Sequence, residues 1–284
     1  MSVVEQMLQK YPLTDGDNIN DALREVMQEI ALASLVRAGF FDKAAFYGGT
    51  CLRIFYDLPR FSEDLDFSLL QSQADFSFEP YFAALVAEFN ALGFEVEISA
   101  REKSMETAVV SAFLKKNTSI YDVSVRGQKV LKIKFEVDTE PPLGFRTEEK
   151  LLLNPYSVYV KCFSLPDLYA GKMHALLFRK WKNRVKGRDW FDFEWYVRRG
   201  AELNLTHLEM RARQSGDLGG ESLTPDLFSA WLTQRIEQLD IESAKNDVRR
   251  FIANAQVLDI WSRDYFMQLA GRIRFTEESI QKCE

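Results

Sequence analysis

The chain has 284 residues, 46% of them hydrophobic and 27% charged. That composition excludes fibrous, low-complexity and disordered classes and allows one large domain or two modest ones with a well-buried core. A formal net charge of −6 argues against a broad nucleic-acid-coating surface, while leaving room for a local basic patch.

From Asn18 to Ala38, the spacing of Leu23, Val26, Met27, Ile30 and Leu35 predicts an amphipathic helix stopped by Gly39. Ala44 to Tyr47 reads as a short strand running into a Gly48-Gly49 turn, and Thr50 to Tyr56 as a helix. Alternation predicts a strand over Asp64 to Leu70, and Phe78 to Leu92 reads as a helix stopped by Gly93. Strand patterns follow over residues 94–99, 107–114, 119–125, 129–138 and 157–163. After Pro166 the pattern turns helical over 167–180, 188–197, 225–239, 243–252 and 258–272. The expected organisation is a mixed α+β half, residues 1–165, followed by a helical half, residues 166–284. There is no internal repeat.

Cys51, Cys162 and Cys283 lie far apart with no C-x-x-C pair, and His174 and His207 are the only histidines, so a structural zinc site is not expected. The longest uncharged run, Leu151 to Val160, is ten residues, too short to cross a bilayer. Met1 to Leu13 lacks the basic-then-apolar layout of a secretory signal, so the cytoplasm is the expected address, with no membrane partner.

The chemistry concentrates in "FYGGTCLRIFYDLPRFSEDLDFSLL", residues 46 to 70. Side chains alternate across a strand, which puts Asp64, Asp66 and Ser68 on one face and Leu65, Phe67 and Leu69 on the other. Two carboxylates two positions apart raise each other's pKa unless a cation lies beside them. A hard divalent cation such as Mg2+, held by carboxylates and substrate phosphates, relieves that strain. Gly48 and Gly49 end a strand where a helix begins, so backbone N–H groups could meet a phosphate there, with the Thr50 hydroxyl added. A tight turn would carry the same glycines. In "VLKIKFEVDTEPP", Lys132, Lys134, Glu136 and Asp138 line one side of another strand, as a solvated face also would. Glu136 and Asp138 compete as a third metal ligand, Glu136 being narrowly preferred.

Gly-Gly-Thr, thirteen residues, then Asp-x-Asp resembles the signature of nucleotidyltransferases with the DNA polymerase β-like fold. The fuller string "GGTCLRIFYDLPRFSEDLDF", with Arg60 and Ser62 ahead of Asp64, looks like the AbiEii/AbiGii toxin family of that superfamily. A second block, "LPDLYAGKMHALLFRKWKNRVKGRDWFDF", resembles the family's helix with a lysine followed by R-D-x-x-D, which Lys172, Asp189 and Asp192 fit by position. Together the blocks cover about a fifth of the chain, and residues 205–284 carry no recognised motif. Read on their own, Lys172 lies on a largely apolar stripe with Leu168 and Leu176, where it could snorkel to solvent, and Asp189 and Asp192 could cap a helix. His174 is set aside as structural.

The resemblance implies a polymerase β-like mixed sheet with flanking helices and a C-terminal helical domain contributing Lys172 and Asp189 to the cleft. It implies a Mg2+-dependent enzyme (Mn2+ an alternative) that moves an NMP from an NTP to an acceptor hydroxyl. Asp64, Asp66 and Glu136 or Asp138 would hold metal, and Gly48, Gly49, Thr50, Arg60, Ser62 and Lys172 would contact the nucleotide. Lys172 would offset charge on pyrophosphate, with Asp189 orienting Lys172 or the acceptor. A tRNA 3′ end is the favoured acceptor, a protein hydroxyl the other. The cluster "RKWKNRVKGR", Arg179 to Arg188, has six cations in ten residues and suits an anionic partner, although such runs are often solvated faces. A toxin of a bacterial toxin–antitoxin or phage-defence system would also have an antitoxin partner. The competing expectation is a non-catalytic nucleotide- or antitoxin-binding module that keeps the fold.

Overall fold

A computed structural model of the chain describes residues 1–11, 16–100, 118–126, 130–179 and 185–277. The expected strand over 107–114 and residues 180–184 of the basic cluster lie outside the described residues. The chain folds as two compact units. One comprises Met1–Asp57, Phe61–Pro141 and Thr147–Phe163, the other Leu58–Arg60, Pro142–Arg146 and Ser164–Glu284.

The first unit is built on a seven-stranded mixed sheet. Its strands are β1 (Ala44–Tyr47), β2 (Asp64–Leu69), β3 (Glu95–Ala100), β4 (Thr118–Arg126), β5 (Val130–Asp138), β6 (Thr147–Leu152) and β7 (Val158–Phe163), in the order β3-β4-β5-β2-β1-β7-β6. The two central contacts of β2 differ in sense: it runs antiparallel to β1 and parallel to β5. Helices α1 (Val3–Leu8), α2 (Gly16–Arg37), α3 (Gly48–Tyr56) and α4 (Phe82–Ala91) complete the unit, with α2 packed on α4, β5 and β7. Leu65, Phe67, Ile133, Phe135 and Val137 are all fully buried. Phe40, Phe67, Phe78 and Phe135 form the aromatic centre, with ring centroids 5.0 to 6.2 Å apart. Full burial of each large apolar side chain is worth about 1.5–3 kcal/mol, which sets the register of β2 and β5. The alternate positions are thereby turned to the opposite face.

The second unit is mainly helical. Its helices are α5 (Leu165–Phe178), α6 (Gly187–Arg199), α7 (Leu205–Ser215), α8 (Pro225–Glu237), α9 (Ile241–Arg249) and α10 (Arg263–Ala270), with a small parallel pair of β8 (Glu202–Leu203) and β9 (Arg274–Phe275). Helix α5 packs on α6 and α7, and the fully buried rings of Tyr169 and Tyr196 stack at 4.1 Å between α5 and α6. Helix α6 begins with a glycine for a steric reason: a Cβ on Gly187 would lie 1.8 Å from the Ala244 carbonyl oxygen of α9.

The α+β architecture expected from the sequence, with helices dominating the C-terminal part, is the one observed. Five of these elements were not anticipated: α1, β6, α7 and the short strands β8 and β9. Strand β6 reads Thr-Glu-Glu-Lys-Leu-Leu and is mostly exposed at a sheet edge, so its pattern resembles a polar loop. Helix α7 did carry a start and a stop: the Asn204 side chain accepts from the His207 N–H at 3.1 Å, and Gly216 ends it in the left-handed region.

Candidate active site

In the first unit, the C-terminal end of β1 lies against β2, with Tyr47 opposite Asp66. Gly48 follows at φ +84, and a Cβ there would fall 2.1 Å from Oδ2 of Asp66. The glycine therefore serves two needs at once, a left-handed backbone and room for the carboxylate. Helix α3 starts at this point, and Tyr47 at its N-cap position makes no capping hydrogen bond with its side chain. Thr50 is fully buried and its hydroxyl donates to the Asp64 carbonyl, tying α3 to the start of β2. The Ser62 and Glu63 carbonyls accept from Nε2 of Gln28 in α2 at 3.1 and 3.0 Å, which steadies the approach to Asp64.

Parallel pairing of β2 and β5 places Asp64 opposite Lys134, Asp66 opposite Glu136 and Ser68 opposite Asp138. These pairs share one face. Glu136 thus stands in the row of Asp66, and Asp138 one step farther along. The Lys134 ammonium is bonded to Glu136, and both side chains are under a third exposed. Burial would lower the pKa of Lys134, but the hydrogen bond and charge of Glu136, with the fields of Asp64 and Asp66, more than offset it and raise it. An ammonium is thus the cation among these carboxylates. The donors are hard oxygens of the kind Mg2+ takes, so the residues fit such an ion by chemistry and by row. Among the described residues, however, no three potential ligands are already assembled around one point.

In the second unit, Arg60, Lys172 and Asp192 form a buried ion network. Arg60 donates from Nε and Nη2 to the two carboxylate oxygens of Asp192 at 2.6 and 2.7 Å, and Lys172 Nζ lies 2.8 Å from Oδ2. The Asp192 side chain is fully buried, and those of Arg60 and Lys172 are 2% and 17% exposed. Burial would raise the Asp192 carboxyl, yet the two cations and their hydrogen bonds hold it below its ordinary value. Burial likewise opposes the charge on Arg60, which Asp192 restores, with Asp189 adding to the field. Asp192 is neither a helix cap nor a surface charge. It is the counter-ion of Lys172, and Asp189 sits one turn earlier, buried in the first turn of α6.

The start of α5, which carries Lys172, is fixed by Asp167. Its buried carboxylate accepts from Ser164 Oγ at 2.6 Å, the Arg146 N–H at 3.0 Å and Asn204 Nδ2 at 2.7 Å. Sequence reasoning overlooked Asp167, Asn204 and the pairing of Arg60 with Asp192. The only local signal was an aspartate three residues into a helix that begins at a proline-containing turn. Of the expected basic cluster, Arg188 is described with its guanidinium 4.2 Å over the Phe251 ring.

The fold these elements make is that of the nucleotidyltransferases. A chain of H. pylori assigned as a nucleotidyltransferase matches with a TM-score of 0.53 at 16% identity, over 92% of this chain and 96% of its own. The nucleotidyltransferase toxin MenT4 of Mycobacterium tuberculosis matches with a TM-score of 0.51 at 12% identity, over 97% of this chain and 91% of its own. The sequence itself matches the model of the nucleotidyl transferase AbiEii toxin family, type IV toxin–antitoxin system, over residues 30–279. The chain belongs to that family, and it is a toxin nucleotidyltransferase, an enzyme. No curated protein sequence matches it. No helix among the described residues is long and apolar enough to cross a membrane.

Proposed function

We propose that the protein transfers an NMP from an NTP to an acceptor hydroxyl, with a tRNA 3′ end as the favoured acceptor, in the cytoplasm. The observation that supports this most is the row of Asp64, Asp66 and Glu136, with a glycine at position 48 making space for the Asp66 carboxylate. Asp64, Asp66 and Glu136 would hold Mg2+ or Mn2+, which when bound would supply positive charge for the phosphates and for the negative charge that builds up during transfer. Asp138, opposite Ser68, is the less suited third carboxylate.

The acceptor oxygen bonds to the α-phosphorus while the bond from that phosphorus to the bridging oxygen breaks, and pyrophosphate departs. Glu136 would help the hydroxyl lose its proton. The start of α3, with Gly48, Gly49 and Thr50, would meet phosphate oxygens through backbone N–H groups. Lys172, held by Asp192, would offset the charge of the leaving pyrophosphate. Arg60 and Ser62 contribute by holding the framework, Arg60 through Asp192. A cognate antitoxin would oppose this activity, and phage defence is the setting we assign to the pair.

The test is incubation of the purified protein with each α-labelled NTP, cell RNA and lysate protein, with Mg2+ or with EDTA. Label should pass to RNA in a Mg2+-dependent way and fail to do so with Asp64→Ala or Asp66→Ala protein of unchanged melting temperature. Undiminished labelling by both variants would remove the carboxylate pair from the chemistry.

A further inference from the structure

The structure points to a second binding surface in the helical unit. We infer that a recess at the C-terminal end of α6 docks the phosphodiester backbone of a nucleic-acid acceptor, an inference that rests on RNA being the acceptor. The recess has a volume of about 590 Å³ and is lined by Val197, Arg198, Arg199, Gly200, Arg272 and Arg274. Four of its six lining residues are arginines, all exposed, on a chain whose formal net charge is −6.

Distant parts of the chain make this surface. Helix α6 ends in Arg198 and Arg199, and Gly200 at φ +67 turns the backbone so that its N–H meets the Tyr196 and Val197 carbonyls. The chain then enters β8, which pairs with β9 with Glu202 opposite Arg274 and Leu203 opposite Phe275. Nη1 of Arg274 comes within 3.9 Å of where a Gly200 Cβ would be, so its guanidinium lies over the turn. Arg198 lies 3.3 Å from Glu194, whose other donors are Trp261 Nε1 at 2.7 Å and the Tyr265 hydroxyl at 2.8 Å. The Arg198 side chain is 68% exposed, and a pair so open to water leaves the guanidinium able to bind elsewhere. The Arg199 guanidinium lies 5.2 Å over the Trp195 ring. Among the described residues no carboxylate forms an ion pair with Arg272 or Arg274.

Four like charges around one recess repel one another, and an anion relieves that repulsion. Guanidinium forks match phosphate oxygens two at a time, and they suit a chain of phosphates better than a single compact cation would. The recess is open and polar, unlike the enclosed apolar pockets that take small molecules. Its position also fits an extended ligand. With a rise of about 1.5 Å per residue, Arg199 lies roughly 10 Å along α6 from Asp192, about three stacked nucleotides at ~3.4 Å each.

The experiment compares wild-type full-length protein with Arg272→Gln/Arg274→Gln and Asp64→Ala. Binding to labelled total tRNA is followed by fluorescence anisotropy from 50 to 200 mM salt, and NMP transfer to the same RNA is measured alongside. The double variant should bind at least about tenfold more weakly at low salt, with a log–log salt slope shallower by about 1.4–1.8, the loss of two phosphate contacts. Its KM for RNA should rise, with KM for NTP and melting temperature unchanged, while Asp64→Ala binds RNA as wild type. Unchanged affinity, slope and KM for RNA in the double variant overturn the inference. So does loss of binding to an acidic protein partner while RNA binding persists. Should wild type transfer nothing to RNA yet bind it through Arg272 and Arg274, the recess stands and the transfer to RNA falls.

Discussion

Replacing Asp192 by asparagine should destabilise the helical unit by about 3–5 kcal/mol, the usual cost of removing one partner from a buried ion pair. The size follows from the geometry. Asparagine keeps the shape but leaves the Arg60 guanidinium, 2% exposed, without the carboxylate that takes two of its hydrogen bonds, and turns an amide donor toward Arg60 or Lys172. With a denaturant slope of about 3 kcal/mol per M urea, the midpoint would move down by roughly 1–1.7 M. Tryptophan fluorescence is the natural probe, because no tryptophan precedes Trp181 and the described ones, Trp190, Trp195, Trp231 and Trp261, all belong to the helical unit. The control is Lys172→Met, which removes only the more exposed arm of the network and should shift the midpoint much less. An Asp192→Asn midpoint within about 0.3 M of wild type, less than ~1 kcal/mol, would match an exposed salt bridge and refute the buried-network reasoning.

Lys134→Gln should lower the metal-free melting temperature, because Asp64, Asp66 and Glu136 then face one another without their ammonium, and it should enlarge the rise on adding Mn2+ or Mg2+. Differential scanning fluorimetry reads both, and equal metal-induced rises in the two proteins would make Lys134 an ordinary solvated lysine. Stability should also fall on acidification. Burial, reinforced by the Arg211 charge, lowers His174 and His207 to about 3, and Asp217 at 3.8 Å does not hold the His174 ring charged against that burial. From pH 6.5 down to about 3 the unfolded chain therefore binds more protons than the folded one. Each histidine then removes up to about 1.4 kcal/mol per pH unit. Urea midpoints at pH 7 and pH 5 should differ less in a His174→Asn/His207→Asn variant, and an undiminished difference would contradict the assignment.

Local features of the candidate site were legible in the sequence because they are properties of the backbone period. Alternation alone puts Asp64 and Asp66 on one face of β2, and a glycine pair between an apolar tetrapeptide and a helical spacing marks the turn after β1. The α+β layout followed from the same periodicities, and the family from the order and spacing of Gly-Gly-Thr and Asp-x-Asp. What periodicity could not supply is which residues meet across long separations. Glu136 and Asp138 are equivalent in a strand pattern, and only the parallel register of β2 with β5 puts Glu136 opposite Asp66. Lys134 reads as one more polar position until that register surrounds it with carboxylates. Arg60 looks like part of the motif that follows it, yet its guanidinium ends 132 residues away on Asp192. The arginine recess has no sequence signature at all, since Arg198 and Arg199 meet Arg272 and Arg274 only through the pairing of β8 with β9. Side-chain direction is decided residue by residue from the chain's own geometry, whereas register and ion pairing are decided by which burial of apolar surface wins over the whole unit.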